Sequence, residues 1–254
     1  MKMTILLFIL LGFVAQMVDG ALGMAYGVTS NSLLLSFGVS PAVASASVHI
    51  AEVFTTFVSG ISHFKLGNIN RYFVKALIIP GVIGGVVGAY LLTNIDGKAI
   101  KPFITVYLLL MGLRILVKAI RFNQHKEEAA PVPPKAWQMS ILGLVGGFFD
   151  AVGGGGWGPI VTTTLISGGH SPRESIGSVN ASEFFVTLAE AATFIVLIGI
   201  TEWQVIIGLI IGGVIAAPLG AFVTKKMPTR LLMFIVAGLI IFLQVRTLLL
   251  MYVL

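Results

Sequence analysis

Long apolar runs separated by short basic clusters constrain this chain more than any other feature of its sequence. A helix needs roughly 20 apolar residues to cross the hydrocarbon core of a bilayer. Six runs are that long: residues 40–64, 72–93, 101–120, 172–199, 203–223 and 230–254. Only 10% of the residues are charged, whereas soluble domains carry about 25%. We therefore predict an all-α, polytopic protein of the cell membrane, with the lipid bilayer as its surroundings.

An internal repeat appears when the sequence is shifted by 131 residues. At that shift Asp19 aligns with Asp150, and about one position in three is identical between residues 11–56 and 142–187. The chain is therefore predicted to consist of two homologous halves joined by a polar, proline-containing linker. The boundaries are residues 1–120 for the first half, 121–137 for the linker and 138–254 for the second half.

One further apolar stretch in each half is too long for a single span and is interrupted by glycine. Residues 4–37 contain Asp19-Gly20-Ala21-Leu22-Gly23, and residues 138–168 contain four consecutive glycines from Gly153 to Gly156. Glycine destabilises helices and permits positive φ. Each half is thus predicted to have one broken helical segment and three spanning helices. A broken segment either crosses the membrane once or folds back.

The basic residues distinguish these two topologies. If both broken segments fold back, the halves are inverted and twelve of the sixteen Lys and Arg residues share one side. The four on the other side are Lys2, Lys98, Lys101 and Arg246. If both segments cross once, the split is ten against six. Because basic loops stay cytoplasmic, the inverted arrangement is favoured, with both termini outside and the linker in the cytoplasm.

The breaks also indicate where a substrate binds. Non-helical backbone at membrane depth is stable only inside protein or beside a watery cavity. In repeat-built transporters, broken helices aim backbone N–H groups at anions near the midplane. The alternative role of the glycines is close helix packing. We predict anion binding at the breaks and at nearby polar positions: Gly23, Tyr26, Asn31, Ser47, Gly153, Gly154, Gly155, Gly156, Trp157, Thr162, Ser178 and Asn180.

Acidic residues within the apolar stretches form a second set of candidates. An ionisable group inside a bilayer is a functional hypothesis by default, and a carboxyl in a site of low dielectric constant can hold a proton. The candidates for proton coupling are Asp19, His49, Glu52, Asp150 and Glu183. Asp19 with Asp150 and Glu52 with Glu183 are pairs across the repeat, and His49 shares a helix face with Glu52. The alternative for the two Asp residues is that each caps N–H groups at its break.

These features together resemble a known family. Two related halves, glycine-rich breaks after an Asp, and Gly-x-Ser-Pro followed by Ser-Val-x-x-x-Glu look like the TauE/SafE family of sulfite exporters and related permeases. The resemblance covers essentially the whole chain and is sharpest at residues 19–52 and 143–183, the latter including Gly154-Gly155-Gly156-Trp157-Gly158-Pro159. The first half departs from the pattern, because Asp19-Gly20-Ala21-Leu22-Gly23 stands where a fuller glycine run is expected.

The resemblance implies secondary transport of small sulfur-containing anions, such as sulfite or organosulfonates, across a bacterial-type inner membrane. No Gly-x-x-x-x-Gly-Lys-Ser/Thr phosphate loop is present, so protons are the expected energy source. We expect no cofactor, no resident metal, no nucleic-acid partner and no enzymatic activity. The alternatives are a passive anion channel, a cation or metal permease in which the acids converge on an ion, and an intramembrane enzyme that uses the paired Asp residues.

Overall fold

The computed structural model of the chain describes residues 5–24, 26–121, 134–223 and 229–252, and these residues form helices joined by short connections. The helices of the first half are α1 (Ile5–Leu22), α2 (Tyr26–Ser36), α3 (Pro41–Lys65), α4 (Arg71–Asn94) and α5 (Gly97–Arg121). Those of the second half are α6 (Ala136–Gly153), α7 (Thr163–Ser167), α8 (Pro172–Ile198), α9 (Trp203–Val223) and α10 (Thr229–Tyr252). A π-helical turn, Gly158–Thr162, leads into α7. The predicted linker lies mainly outside the described residues.

Local sequence explains where several of these helices begin and end. Pro41 occupies the first turn of α3, where a missing N–H costs no hydrogen bond. The Asn70 side chain accepts from the N–H groups of Tyr72 and Phe73 at 3.0 and 3.4 Å, which caps the start of α4. Gly199 follows α8 with a φ of 71°, a conformation that favours glycine.

Five of the described helices are long and apolar enough to cross a membrane, namely α3, α4, α5, α8 and α10. Shorter apolar stretches occur in α1 and in α9, the predicted span at residues 203–223. Large apolar side chains cover the outside, including Val196 (83% exposed) and Phe103 (75% exposed), whereas His49 and Glu190 are fully buried. Apolar groups outside and ionisable groups inside are expected where the outer surface contacts lipid.

Both predicted breaks are present. In the first half α1 ends at Leu22 and α2 begins at Tyr26. In the second half α6 ends at Gly153 and regular helix resumes at Gly158. Positive φ angles mark the breaks, at 62° for Gly23, 65° for Gly154 and 151° for Gly155. Glycine permits these angles without the strain that a side chain would introduce.

The two halves pack against each other in a reciprocal pattern. Helix α1 packs on α9, and its repeat counterpart α6 packs on α4, which is the counterpart of α9. Helices α3 and α8, which are counterparts, contact each other at the centre, and so do α5 and α10 at the periphery. Each half therefore buries its first helix mainly against the other half.

Named contacts fix the relative directions of the central helices. Phe57 pairs with Phe184 and His49 with Phe194, so α3 and α8 run antiparallel. Helix α4 runs parallel to α8, because Gly81 lies against Val186 and, four residues on, Gly85 lies against Glu190.

The broken segment of the second half reverses the chain direction. Gly84 lies against Leu144 and Gly88 against Phe148 and Ala151, which makes α6 parallel to α4. Since α4 is parallel to α8, α6 and α8 also run in the same direction. The chain must therefore turn back between them, through the stretch that contains the π-helical turn and α7.

Candidate functional site

The two breaks cross at the centre of the protein and are joined by two reciprocal hydrogen bonds. The Asn31 side chain on α2 donates to the carbonyl of Gly153 at 2.5 Å. Thr162 donates its hydroxyl to the carbonyl of Gly23 at 2.8 Å. Asn31 and Thr162 are counterparts at the 131-residue shift. The helix that follows each break thus holds the end of the helix that precedes the other break.

Bare glycine backbone allows this crossing. A Cβ on Gly27 would lie 2.7 Å from the α-carbon of Gly155, and one on Gly158 would lie 2.7 Å from the carbonyl oxygen of Gly23. Such separations are shorter than a van der Waals contact. In this conformation the glycines of each break contact the backbone of the other break, which is the close-packing role.

The two aspartates hold the backbone at the breaks. Oδ1 of Asp150 accepts from the N–H groups of Gly156 at 2.5 Å and Trp157 at 2.9 Å. Asp19 accepts from the N–H of Tyr26 at 3.3 Å. Both carboxylates therefore act as caps in this structure. The other oxygen of Asp150 has no hydrogen-bond partner and faces His49.

A narrow cavity at the crossing is lined by acids from both halves. Its walls include the paired residues Asp19 and Asp150, the paired residues Glu52 and Glu183, the Tyr26 ring and glycines of both breaks. It has room for about one water molecule, and its acidic residues are all at least 94% buried. The cavity is too small for an oxyanion in this conformation.

His49 lies beside this cavity and contacts three carboxyl groups. Its Nε2 atom is 2.9 Å from Oε2 of Glu190, 3.5 Å from Oδ2 of Asp150 and 3.9 Å from Oε2 of Glu52. Glu190 is not among the predicted proton-coupling residues, and its repeat counterpart, Ser59, is not acidic. The available signal was its spacing, seven residues after Glu183, which puts both acids on one face of α8.

Of the twelve predicted anion-binding residues, Tyr26, Gly155 and Gly156 line the cavity, and the other nine lie outside its lining. Four of those nine have polar side chains whose contacts lie elsewhere. The Trp157 ring packs in an apolar cluster, and its Nε1–H donates to the carbonyl of Val179 at 3.2 Å. Ser47 donates to Val43 within its own helix. Ser178 accepts from the N–H of Asn70, and Asn180 accepts from Ser59. These four polar groups stabilise helices and helix contacts in this conformation.

Comparison with known proteins agrees with this architecture. The family model described as Sulfite exporter TauE/SafE matches residues 8–247. The chain belongs to the TauE/SafE sulfite exporter family. The Probable membrane transporter protein YtnM of Bacillus subtilis (strain 168) is 44% identical over 247 residues, which is 96% of this chain and 82% of the relative. Two further probable membrane transporter proteins of that organism, YjnA and YunE, are 21% and 20% identical over 92% of this chain, and over 95% and 93% of their own lengths.

No solved structure matches this TauE/SafE chain. The family and the relatives confirm the resemblance inferred from the sequence and identify a multi-pass membrane transporter. That class is consistent with a role in transport and not in catalysis.

Two basic residues of this TauE/SafE protein lie near the breaks without an acidic partner. Lys118 on α5 is half-buried, with Nζ 3.8 Å from Sδ of Met24, which lines the cavity. One turn earlier, Arg114 donates to the hydroxyl of Thr164 at 3.4 Å. Among the residues that the structure describes, the ion pairs within 4 Å all involve His49. Neither cation therefore has an acidic partner within 4 Å in the described part of the chain.

The buried cluster also contains atoms of the kinds that bind cations. One atom each from His49, Glu52 and Asp150 lies within 4.8 Å of the others. The nearest neighbour of the imidazole nitrogen is, however, Glu190, which is not in that set. Because the Glu190 carboxyl already contacts that nitrogen, we assign no metal site to this cluster.

Proposed function

We propose that this TauE/SafE protein is a secondary transporter that moves a small sulfur-containing anion, sulfite or an organosulfonate, together with protons across a bacterial inner membrane. The observation that carries the proposal is the buried cavity at the crossing of the two broken helices. Acids that are counterparts across the repeat, Asp19 with Asp150 and Glu52 with Glu183, face it from both halves. A buried site built from broken helices at a repeat interface is typical of secondary transporters.

We further propose that the halves are inverted repeats and that the substrate gains access as they move apart. The antiparallel packing of the counterparts α3 and α8 supports inversion. Parallel repeats would give these helices the same direction across the bilayer. The reversal of the chain between α6 and α8 supports a second broken segment that folds back. Movement of one half against the other would pull the crossed breaks apart and open the cavity alternately to each side.

The acids make anion binding depend on protons. An anion 4 Å from one ionised carboxylate is repelled by about 4 kcal/mol at an effective dielectric constant of 20. Several ionised carboxylates would therefore exclude the substrate from the cavity. A protonated carboxyl removes this repulsion and can donate a hydrogen bond to an oxyanion. Anion binding should accordingly strengthen as the pH falls, and protons should accompany the anion.

The unpaired basic residues provide the attraction that the acidic cavity lacks. Lys118 and Arg114 lie on α5 beside the two breaks, close to Met24 and Thr164. A cation near the cavity mouth raises the local concentration of anions. We expect these two residues to form the approach to the cavity, while the protonated acids receive the anion inside.

Flux measurements in proteoliposomes test the proposal. Sulfite uptake is compared with chloride and divalent-cation uptake, with and without an inward proton gradient. We expect sulfite uptake and its stimulation by the gradient. Lys118→Met should raise the apparent KM for sulfite, and Lys98→Met, an exposed lysine in the first turn of α5, serves as the matched control. Uptake of chloride but not of sulfite would contradict this function. Sulfite uptake that is unchanged by the proton gradient would also contradict it.

A cation permease is the second candidate, and the acid-rich lining of the cavity is the observation that favours it. It predicts the opposite pH dependence, because protons compete with cations for carboxylates. Divalent-cation flux that falls as the pH is lowered, without sulfite flux, would support this candidate and reject anion transport.

A further inference from the structure

The contact between His49 and Glu190 has a counterpart of different chemistry elsewhere in the protein. At the 131-residue shift, His49 aligns with Asn180 and Glu190 aligns with Ser59. The counterparts also contact each other, since Ser59 donates its hydroxyl to Oδ1 of Asn180 at 2.9 Å. The antiparallel pair α3 and α8 therefore presents the same contact twice, once with two ionisable residues and once with two neutral ones.

The contacts of His49 favour a proton between its ring and Glu190. Nδ1 is 2.7 Å from the carbonyl oxygen of Ser45, which can only accept, so Nδ1 carries a hydrogen. The Ser45 hydroxyl donates to Ala151 at 2.6 Å and cannot supply a hydrogen to the ring. Nε2 and Oε2 of Glu190 lie 2.9 Å apart, and neither atom has a hydrogen-bond partner among the described residues in this conformation. At this separation the two atoms would repel each other without a proton on one of them.

The surroundings of this pair contain two more groups that can exchange a proton with it. Within 4 Å of Nε2 lie Glu52 from α3 and Asp150 from α6. Helix α4 presents only the bare backbone of Gly85 to the Glu190 carboxyl, and α9 has no ionisable side chain. Asp19 and Glu183 face the adjoining cavity. The proton therefore has two further carboxyl groups within reach of the His49 ring.

Asp150 connects the pair to the second break. One of its oxygens accepts from Gly156 and Trp157 at the break, and the other faces His49. A proton that passes from His49 to Asp150 weakens the carboxylate as an acceptor, because ionised acceptors form the stronger hydrogen bonds. Protonation would thus loosen the backbone that has to move when the cavity opens.

The neutral counterpart cannot respond to protons. Asn180 accepts from Ser59 and donates to the carbonyl of Ile176 at 3.1 Å, so both ends of its amide are occupied. Neither an amide nor a hydroxyl changes charge in the physiological pH range. This contact holds α3 against α8 regardless of pH.

We infer that the coupling proton is held between His49 and Glu190, with Asp150 as its route to the break. The Asn180–Ser59 contact, at the equivalent position of the repeat, joins α3 to α8 without a titratable group. Proton coupling thus resides at one of two equivalent positions, although the anion cavity draws on both halves. This assignment rests on the proposed proton-coupled transport and adds Glu190 to it.

The test replaces His49 and Glu190 by Asn and Ser, the residues of the neutral contact. The double variant H49N/E190S is reconstituted in proteoliposomes, and sulfite uptake is measured with and without an inward proton gradient. We expect the gradient to lose its effect on uptake. Ser59→Ala, which removes the hydrogen bond to Asn180, should retain stimulation of sulfite uptake by the gradient. Elution of each variant as a single species in size-exclusion chromatography verifies folding.

Glu190→Gln provides a second variant of nearly unchanged size should the double variant fail to fold. Proton uptake on addition of sulfite to the detergent-solubilised protein, followed with a pH-indicator dye, should be lost in Glu190→Gln and kept in Ser59→Ala. If the proton gradient still stimulates sulfite uptake fully in H49N/E190S or in Glu190→Gln, this assignment is wrong, while coupled transport itself remains supported. If the proton gradient does not change sulfite uptake by the wild-type protein, proton coupling as a whole is rejected.

Discussion

Replacing Gly155 by alanine tests whether the two breaks function as one crossed unit. Gly155 has a φ of 151°, and a Cβ at this position would lie 2.8 Å from the α-carbon of Gly27 in the opposite break. Carbon atoms in contact are about 3.5–4.0 Å apart. The nitrogen of Val28 and the carbonyl carbon of Gly27 lie closer still. The two breaks would therefore have to separate by more than roughly 1 Å to accommodate one methyl group.

A matched control separates this overlap from backbone strain. Gly199 also has a positive φ, 71°, but no atom lies within 4 Å of the position that a Cβ would take. Strained backbone of this kind costs about 1–3 kcal/mol in either variant. Overpacking adds about 1–3 kcal/mol for Gly155→Ala alone. The difference between the two variants is therefore the energetic cost of the crossing contact.

Two measurements check this prediction. The free energy of unfolding, obtained by titration with SDS in mixed micelles, should be about 1–3 kcal/mol lower for Gly155→Ala than for Gly199→Ala. Sulfite flux in proteoliposomes should fall strongly in Gly155→Ala and remain near the wild-type value in Gly199→Ala. Equal stability and equal flux in the two variants would show that the breaks do not contact each other as described.

Three further predictions concern helix packing and topology. Gly147→Ala should destabilise the protein by about 1–3 kcal/mol, because its Cβ would lie 3.0 Å from the backbone nitrogen of Gly85 in α4. Gly238 has open space around it, so Gly238→Ala should be neutral or stabilising in the same SDS titration. Tyr26→Phe removes the hydrogen bond to the Leu209 carbonyl at 3.2 Å and should lower the free energy of unfolding by about 1 kcal/mol. For an inverted repeat, a reporter fused at the C-terminus should be active outside the cell, and one inserted in the linker should be active in the cytoplasm; a cytoplasmic C-terminus would contradict inversion.

Sequence reasoning identified five of the six predicted spans and both breaks, because both features depend on local composition. An apolar run of the required length forms a membrane helix largely independently of its neighbours. The glycines of Gly153–Gly156 destabilise regular helix at their own position. The repeat then indicated that Asp19 and Asp150 occupy equivalent places, and the structure puts both carboxylates on backbone N–H groups at the breaks.

The neighbours of each buried side chain could not be read from the sequence. Trp157 lies next to the second break in the chain, yet its ring packs into an apolar cluster away from the cavity. Glu190 lies 141 residues after His49 and contacts it only because α3 and α8 pack antiparallel. Hydropathy and the repeat define which helices exist, but the direction and rotation of one helix against another depend on the side chains of both faces. The sequence by itself determined the helices, their breaks and the paired acids, while only the tertiary structure decided that the breaks cross and that His49 contacts Glu190.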